Sequence, residues 1–329
     1  MARMRGCRGS RKSTPPRVRG RRVGTLTSVG ASLTTRSQSV SVRREPEASP
    51  VFVLSGGGNL GALQVGMMYA LVESGLRPGM IVGTSVGAIN GAFLASRPDL
   101  PGIVEIAQLW SSLRRKDILG VAPRALVGGL RRTPRHLFDP SSIRRILESF
   151  LGFRRLEDSP IPLVVVATDL VSGEPVVLGS GDATCALLAS SAIPGIFPPV
   201  EIGGRLVVDG AAAADIPLRQ ALSLGARDLY VLPTAPAQVA AWVEQPVDRE
   251  ASDPSDGLTV RVVPPPAIHV PLANLGLSSN LLRLGYEQAK TWLDGVPLPS
   301  MTRGRAERCR IGTFSGREKG VAGPVPTLQ

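Results

Sequence analysis

Apolar residues in this chain gather in short unbroken runs that alternate with helical spacing. Val51-Phe52-Val53-Leu54 is a run of four that ends in a string of glycines, the pattern of a strand buried on both faces. From Asn59 to Ser74 the apolar positions switch to helical spacing (Leu60, Leu63, Met67, Met68, Leu71) and stop at Gly75, which predicts a helix. Met80-Ile81-Val82 then predicts a second strand, and Val86 to Ala95 a second helix. Strand, turn and helix twice in succession point to an α/β fold: one domain with a mainly parallel central sheet and helices on its faces.

Further along, Ile103 to Leu119 reads as an amphipathic helix ending in basic residues, and Asp139-Pro140-Ser141-Ser142 starts another that runs to about Leu151. Residues 120–138 between them are basic, glycine-containing and irregular, and read as a surface loop. Strands are expected at Leu163 to Ala167 and Pro175 to Leu178, and a helix near Ala183 to Ala192. Arg205 to Val208 is a strand ending at Asp209, and Asp228 to Leu232 the last strand. Residues 235–266 read as a proline-rich excursion and Leu277 to Leu293 as a closing helix.

The charge of +12 modifies this picture less than its size suggests. Residues 1–44 hold 12 of the 38 Lys and Arg and no Asp or Glu, so the remainder has 26 basic and 26 acidic residues. The expected organisation is therefore a disordered basic tail over 1–49, a folded domain over 50–298 and a loose tail over 299–329. A neutral body without an aromatic–basic pattern argues against a nucleic-acid partner. The glycines in 78–96 and the prolines in 183–200 argue against membrane-spanning helices, so the reading is cytoplasmic, with peripheral membrane attachment left open. Cys7, Cys185 and Cys309 lack metal-ligand spacing, and neither metal nor cofactor is expected.

The candidate chemistry lies in the turns. Gly83-Thr84-Ser85-Val86-Gly87 sits between a strand and a helix, where a G-x-S-x-G serine is held in a strained turn and the helix N-terminus favours negative charge at the hydroxyl. A serine nucleophile needs a base and donors for its oxyanion. Gly56-Gly57-Gly58, at the preceding strand-to-helix turn, offers unobstructed N–H groups beside Asn59. Gly56, Gly58 and Gly61 also satisfy the dinucleotide fingerprint, but the next strand ends in Gly83-Thr84-Ser85, where such a site expects an acid. Only two histidines exist, His136 in the basic loop and His269 after three prolines. Asp209, at a strand end before Gly210-Ala211, is the better base if desolvation raises its proton affinity.

Ser-Gly-Gly-Gly-Asn-Leu-Gly-Ala at 55–62, Gly-Thr-Ser-Val-Gly at 83–87, Ala-Ser-Ser-Ala-Ile-Pro-Gly-Ile-Phe-Pro-Pro at 189–199 and Asp-Gly-Ala at 209–211 together resemble the patatin-like phospholipases. The resemblance covers about residues 50–235 and implies a three-layer domain with a Ser-Asp dyad. Ser85 is then the nucleophile, Asp209 the proton acceptor and Gly56, Gly57, Gly58 and Asn59 the oxyanion site, with Gly61, Gly83, Gly87, Gly210 and Ala211 as supporting motif positions. The chain departs from the family at Leu60, where a basic residue is common, and at Ala211, where a second glycine is frequent. The implied reaction is ester hydrolysis of phospholipids or lysophospholipids, with transient contact with a membrane surface.

Three alternatives stay open at this level. An α/β-hydrolase triad of Ser85, Asp209 and His269 fits the chain order, although its nucleophile usually follows more strands than precede Ser85 here. An acyltransferase would use the same acyl-enzyme, and a membrane-associated scaffold would keep the motifs without turnover.

Overall fold

A computed structural model describes residues 49–118, 120–121, 138–244, 257–268, 270 and 274–295. His136, His269, most of the basic loop, and the predicted tails apart from Ser49 lie outside the described residues. Ten strands are described: β1 (Val51–Leu54), β2 (Met80–Thr84), β3 (Gly120–Val121), β4 (Phe138–Asp139), β5 (Leu163–Asp169), β6 (Pro175–Leu178), β7 (Val200–Ile202), β8 (Arg205–Asp209), β9 (Asp228–Leu232) and β10 (Thr259–Val262). β3 and β4 form a separate antiparallel pair. The others make one sheet in the order β10-β9-β1-β2-β5-β8-β7, with β6 beside β5. β10, β9, β1, β2 and β5 run parallel, whereas β6, β7 and β8 add antiparallel pairings at one side.

Successive residues of each central strand face opposite layers, as the period of two requires. Phe52, Leu54, Ile81, Leu163, Val165, Tyr230 and Leu232 enter one buried cluster, and Val51, Val53, Val82, Val164, Val166, Leu229 and Val231 the other. The first cluster is completed by α1 (Gly61–Glu73), α2 (Val86–Ser96), α3 (Leu100–Ser112), α6 (Ala183–Ser190) and α10 (Ser278–Asp294). The second takes Leu218 and Ala221 from α8 (Leu218–Ser223), with Trp242 of α9 (Pro236–Glu244) packed against it. Helices therefore cover both faces, and the three-layer α/β architecture is the one predicted. Among the described residues no helix is long and apolar enough to cross a membrane.

The helix predicted over Ile103 to Leu119 is two helices. α3 begins earlier, where the Asp99 carboxylate accepts the Gly102 N–H at 2.8 Å and Pro101 occupies the first turn. It stops because Leu113 is extended and Asp117 accepts the Arg114 N–H at 2.9 Å, which starts the short α4 (Arg115–Ile118). α5 (Ser141–Phe150) lies where expected. The excursion expected over 235–266 instead contains α9 and β10, so β9 is not the last strand. Three-residue β7, joined to β8 through Gly203 and Gly204 at positive φ, was too short to stand out as a pattern.

Candidate active site

The register of β5 brings the two candidate reactive residues together. On one side of β5, Val165 and Val166 pair with Gly83 and Thr84 of β2, and Ala167 and Thr168 pair with Asp209 and Val208 of β8. β6 pairs with all four of these β5 residues and so fills the opposite side. β2 and β8 must therefore share a single lane along β5, running toward each other. β2 ends at Thr84, one position short of the level at which β8 ends in Asp209, so Ser85 follows at that level. The Ser85 hydroxyl donates to Asp209 Oδ2 at 2.6 Å, across 124 residues of sequence.

Ser85 caps the N-terminus of α2 with φ 53° and ψ −125°, and is the one non-glycine residue at positive φ among the described residues. Such a conformation costs on the order of 1–3 kcal/mol and needs surrounding contacts to hold it. Some come from the flanking glycines: a Cβ on Gly87 would lie 2.4 Å from the Ser55 carbonyl oxygen, and one on Gly83 2.7 Å from the backbone of Ala88. Another comes from Ser190, whose Oγ accepts the Ser85 N–H at 2.8 Å and donates to the Val166 carbonyl at 2.6 Å. Ser190 belongs to the 189–199 motif, and its buried hydroxyl fixes the turn against β5.

Asp209 is 4 % exposed. Its Oδ1 accepts the Ala211 N–H at 2.8 Å, so both carboxylate oxygens are engaged. Burial pushes its pKa up to about 6, against hydrogen bonds from Ser85 and Ala211 that favour the anion, and the nearby Asp215 adds a smaller upward push. The backbone is fixed by Asp209 N–H to the Ala192 carbonyl at 3.0 Å and Gly210 N–H to the Ser190 carbonyl at 3.2 Å. A Cβ on Gly210 would meet the Val166 carbonyl oxygen at 2.1 Å, and Ala211 opens α7 (Ala211–Ala214).

The glycine loop follows β1. Gly56 lies beside the serine, its ideal Cβ position being 3.5 Å from Ser85 Cβ, but its N–H donates to the Asp215 carbonyl at 3.1 Å. Gly57 and Gly58 have φ of 147° and 56°, the left-handed half of backbone space that glycine enters at little cost. Asn59 is buried, and its side-chain amide donates to the Asn274 carbonyl at 3.0 Å, so that group ties the loop to the segment before α10. Gly61 opens α1 against Val86 and Trp110.

Sequence reasoning gave no role to Asp215, Thr234 and Gln238. Asp215, a partly buried carboxylate raised in pKa by desolvation, accepts from Gln238 Nε2 at 2.8 Å. Behind the loop, Gln64 donates to the Ser55 and Leu232 carbonyls at 3.2 and 2.8 Å, and Asn90 links Gln64 to Trp110. Among the described residues no three His, Cys, Asp or Glu side chains gather as a metal site.

A strained serine at a strand-to-helix turn, bonded to a buried carboxylate beside a glycine-rich turn on a three-layer α/β sheet, has the parts that a serine hydrolase uses. Sequence comparison gives the family: the profile of the patatin-like phospholipase family matches residues 52–222, and the chain belongs to that family. It is 34 % identical over 179 residues to an NTE family protein of Mycobacterium tuberculosis strain H37Rv, covering 54 % of this chain and 46 % of that protein. It is 29 % identical over 177 residues to patatin-like phospholipase domain-containing protein 7 of Rattus norvegicus, covering 53 % of this chain and 13 % of that one. The chain thus spans less than half of either relative. Among solved structures, VipD from Legionella pneumophila aligns with a TM-score of 0.39 at 15 % identity, covering 76 % of this chain and 67 % of that one.

Proposed function

We propose that this chain is a serine lipid acyl hydrolase that cleaves carboxylic esters of phospholipids or lysophospholipids with a Ser85–Asp209 dyad. The observation that carries the reading is the direct 2.6 Å hydrogen bond between a strained, helix-capping serine and a buried carboxylate. Ser85 Oγ attacks the ester carbonyl while its proton passes to Asp209 Oδ2. The oxyanion forms next to the amides of Gly57 and Gly58, and the proton is returned to the departing alcohol. Water then attacks the acyl-enzyme with Asp209 again as base, releasing the fatty acid and restoring Ser85. Occupation of both Asp209 oxygens by Ser85 and Ala211 favours this dyad over a triad through His269.

Contact with a lipid surface forms part of the proposal. β5 and β8 run on past the reactive level, and at their tip the Leu170 N–H donates to the Leu206 carbonyl at 2.8 Å. Leu170, Val171 and Leu206 are exposed there, Val171 by 90 %. Leu206 lies three steps along the strand from Asp209, which places this apolar tip ~10 Å beyond the carboxylate.

The test is hydrolysis of phospholipids, lysophospholipids, neutral glycerides and short p-nitrophenyl esters beside Ser85→Ala, with fluorophosphonate labelling of the folded protein. Turnover and labelling that both vanish in Ser85→Ala are expected. Folded protein that neither labels nor turns over any ester would leave only a binding role. A collapse in His269→Ala would replace the dyad with the triad, and transfer to an added lysolipid in preference to water would make it an acyltransferase.

A further inference from the structure

We propose that Thr234 and Gln238 are positioning residues that act through the Gly56 carbonyl to aim the Gly57 N–H at the oxyanion. The inference rests on the hydrolase reading above and adds to it two residues that lie beyond the 52–222 match to the family.

The Gly56 carbonyl oxygen is held by Thr234 Oγ1 at 2.7 Å and Gln238 Nε2 at 3.1 Å, with Ser55 Oγ a third neighbour at 3.0 Å. None of the described peptide bonds is cis, so the Gly56–Gly57 unit is planar and trans, and its N–H points opposite to its C=O. Fixing the carbonyl toward Thr234 and Gln238 therefore fixes the Gly57 N–H away from them. The φ of 147° at Gly57 is what lets the chain make this turn, and a Cβ there would lie 2.2 Å from Thr234 Oγ1. With the Gly56 N–H already given to Asp215, the donor that this arrangement leaves beside Ser85 is the next amide along.

The clamp is itself over-determined. Gln238 Oε1 accepts the N–H groups of Thr234 and Ala235 at 2.8 and 3.1 Å, while Nε2 spans the Gly56 carbonyl and the Asp215 carboxylate. Donors on one side and acceptors on the other permit only one orientation of the amide. Thr234 is 1 % exposed at the end of β9, the parallel neighbour of β1, so it is carried by the same sheet that carries the glycine loop. A donor held this rigidly meets charge that develops only in the transition state, and its loss should fall on kcat and leave KM in place.

The experiment compares Thr234→Val, Thr234→Ser and Gln238→Ala with the parent on a short p-nitrophenyl ester, alongside a trifluoromethyl ketone as tetrahedral mimic. Thr234→Val is close to isosteric and should lower kcat ~10-fold with KM within about twofold, and weaken the ketone by a similar factor. Thr234→Ser, which keeps the hydroxyl, should restore most of the rate, and Gln238→Ala should repeat the kcat-selective loss. For the two Thr234 variants the pH at half-maximal rate should not move, since neither Asp209 nor the Gln238 bond to Asp215 is touched. Ser85-dependent turnover with Thr234→Val and Gln238→Ala at parental kcat would overturn the inference and leave the hydrolase standing, as would a loss confined to KM. A parent without Ser85-dependent turnover would overturn the hydrolase reading and this inference with it.

Discussion

At the level of single residues the site turns on a carboxylate held where it prefers its proton. In the proposed dyad Asp209, buried and with a pKa of about 6, is ionised and able to act as base only above that pH. The kcat/KM profile should therefore fall on the acid side with a midpoint near 6, and initial rates across pH 4–8 check it. Asp215→Asn removes a negative charge that pushes Asp209 upward, so the midpoint should move to lower pH. The same shift has a stability consequence of opposite sign. The folded pKa lies above the ordinary value of 3.8, so the folded state binds the proton more tightly, and stability is lost as pH rises between about 3.8 and 6. Asp209→Asn should consequently melt higher than the parent at pH 7 and gain little at pH 4, while losing ~10³-fold or more in turnover. An Asp209→Asn protein that hydrolyses ester at the parental rate would refute the dyad.

Secondary-structure elements make the site by where they stop. β2 ends at Thr84 and β8 at Asp209 because each gives way to a turn whose glycine lies too close to neighbouring backbone for any side chain. Those glycines are local signals, which is why Ser85, Asp209 and the 56–58 loop could be picked out of the sequence. Ser190, Asp215, Thr234 and Gln238 could not, since each acts through a partner at least 23 residues away. Ser190 came nearest, lying within a motif that was recognised but unassigned. Strand identity followed burial: the continuous apolar runs of β1, β5 and β9 were visible, whereas β10 was masked by the prolines around it. Packing between elements has its own weak point at α1 and α10. Gly285 lies so close that a Cβ would meet the Leu63 carbonyl oxygen at 2.0 Å, and Gly66 meets Leu282 in the same way. Gly285→Ala should cost about 3 kcal/mol as the helices are forced apart, read as a fall in thermal midpoint of roughly 6–12 °C.

At the scale of the whole fold, the apolar tip of β5 and β8 and the Ser85–Asp209 pair both lie toward the C-terminal end of β5. Val171→Asp with Leu206→Asp should reduce turnover on phospholipid vesicles while leaving short soluble esters at the parental rate, and vesicle sedimentation should report the matching loss of binding. Equal activity of the double variant on vesicles would remove the tip from the account. One last consequence follows from β2 and β8 meeting head to head on β5. The spacing of Ser85 and Asp209 is gauged by a single central strand, and the 65 residues from Arg97 to Ile161 lie outside that gauge. A change of length in that stretch leaves the pairing of β2, β5 and β8 as it is, so the distance from hydroxyl to carboxylate is set independently of it.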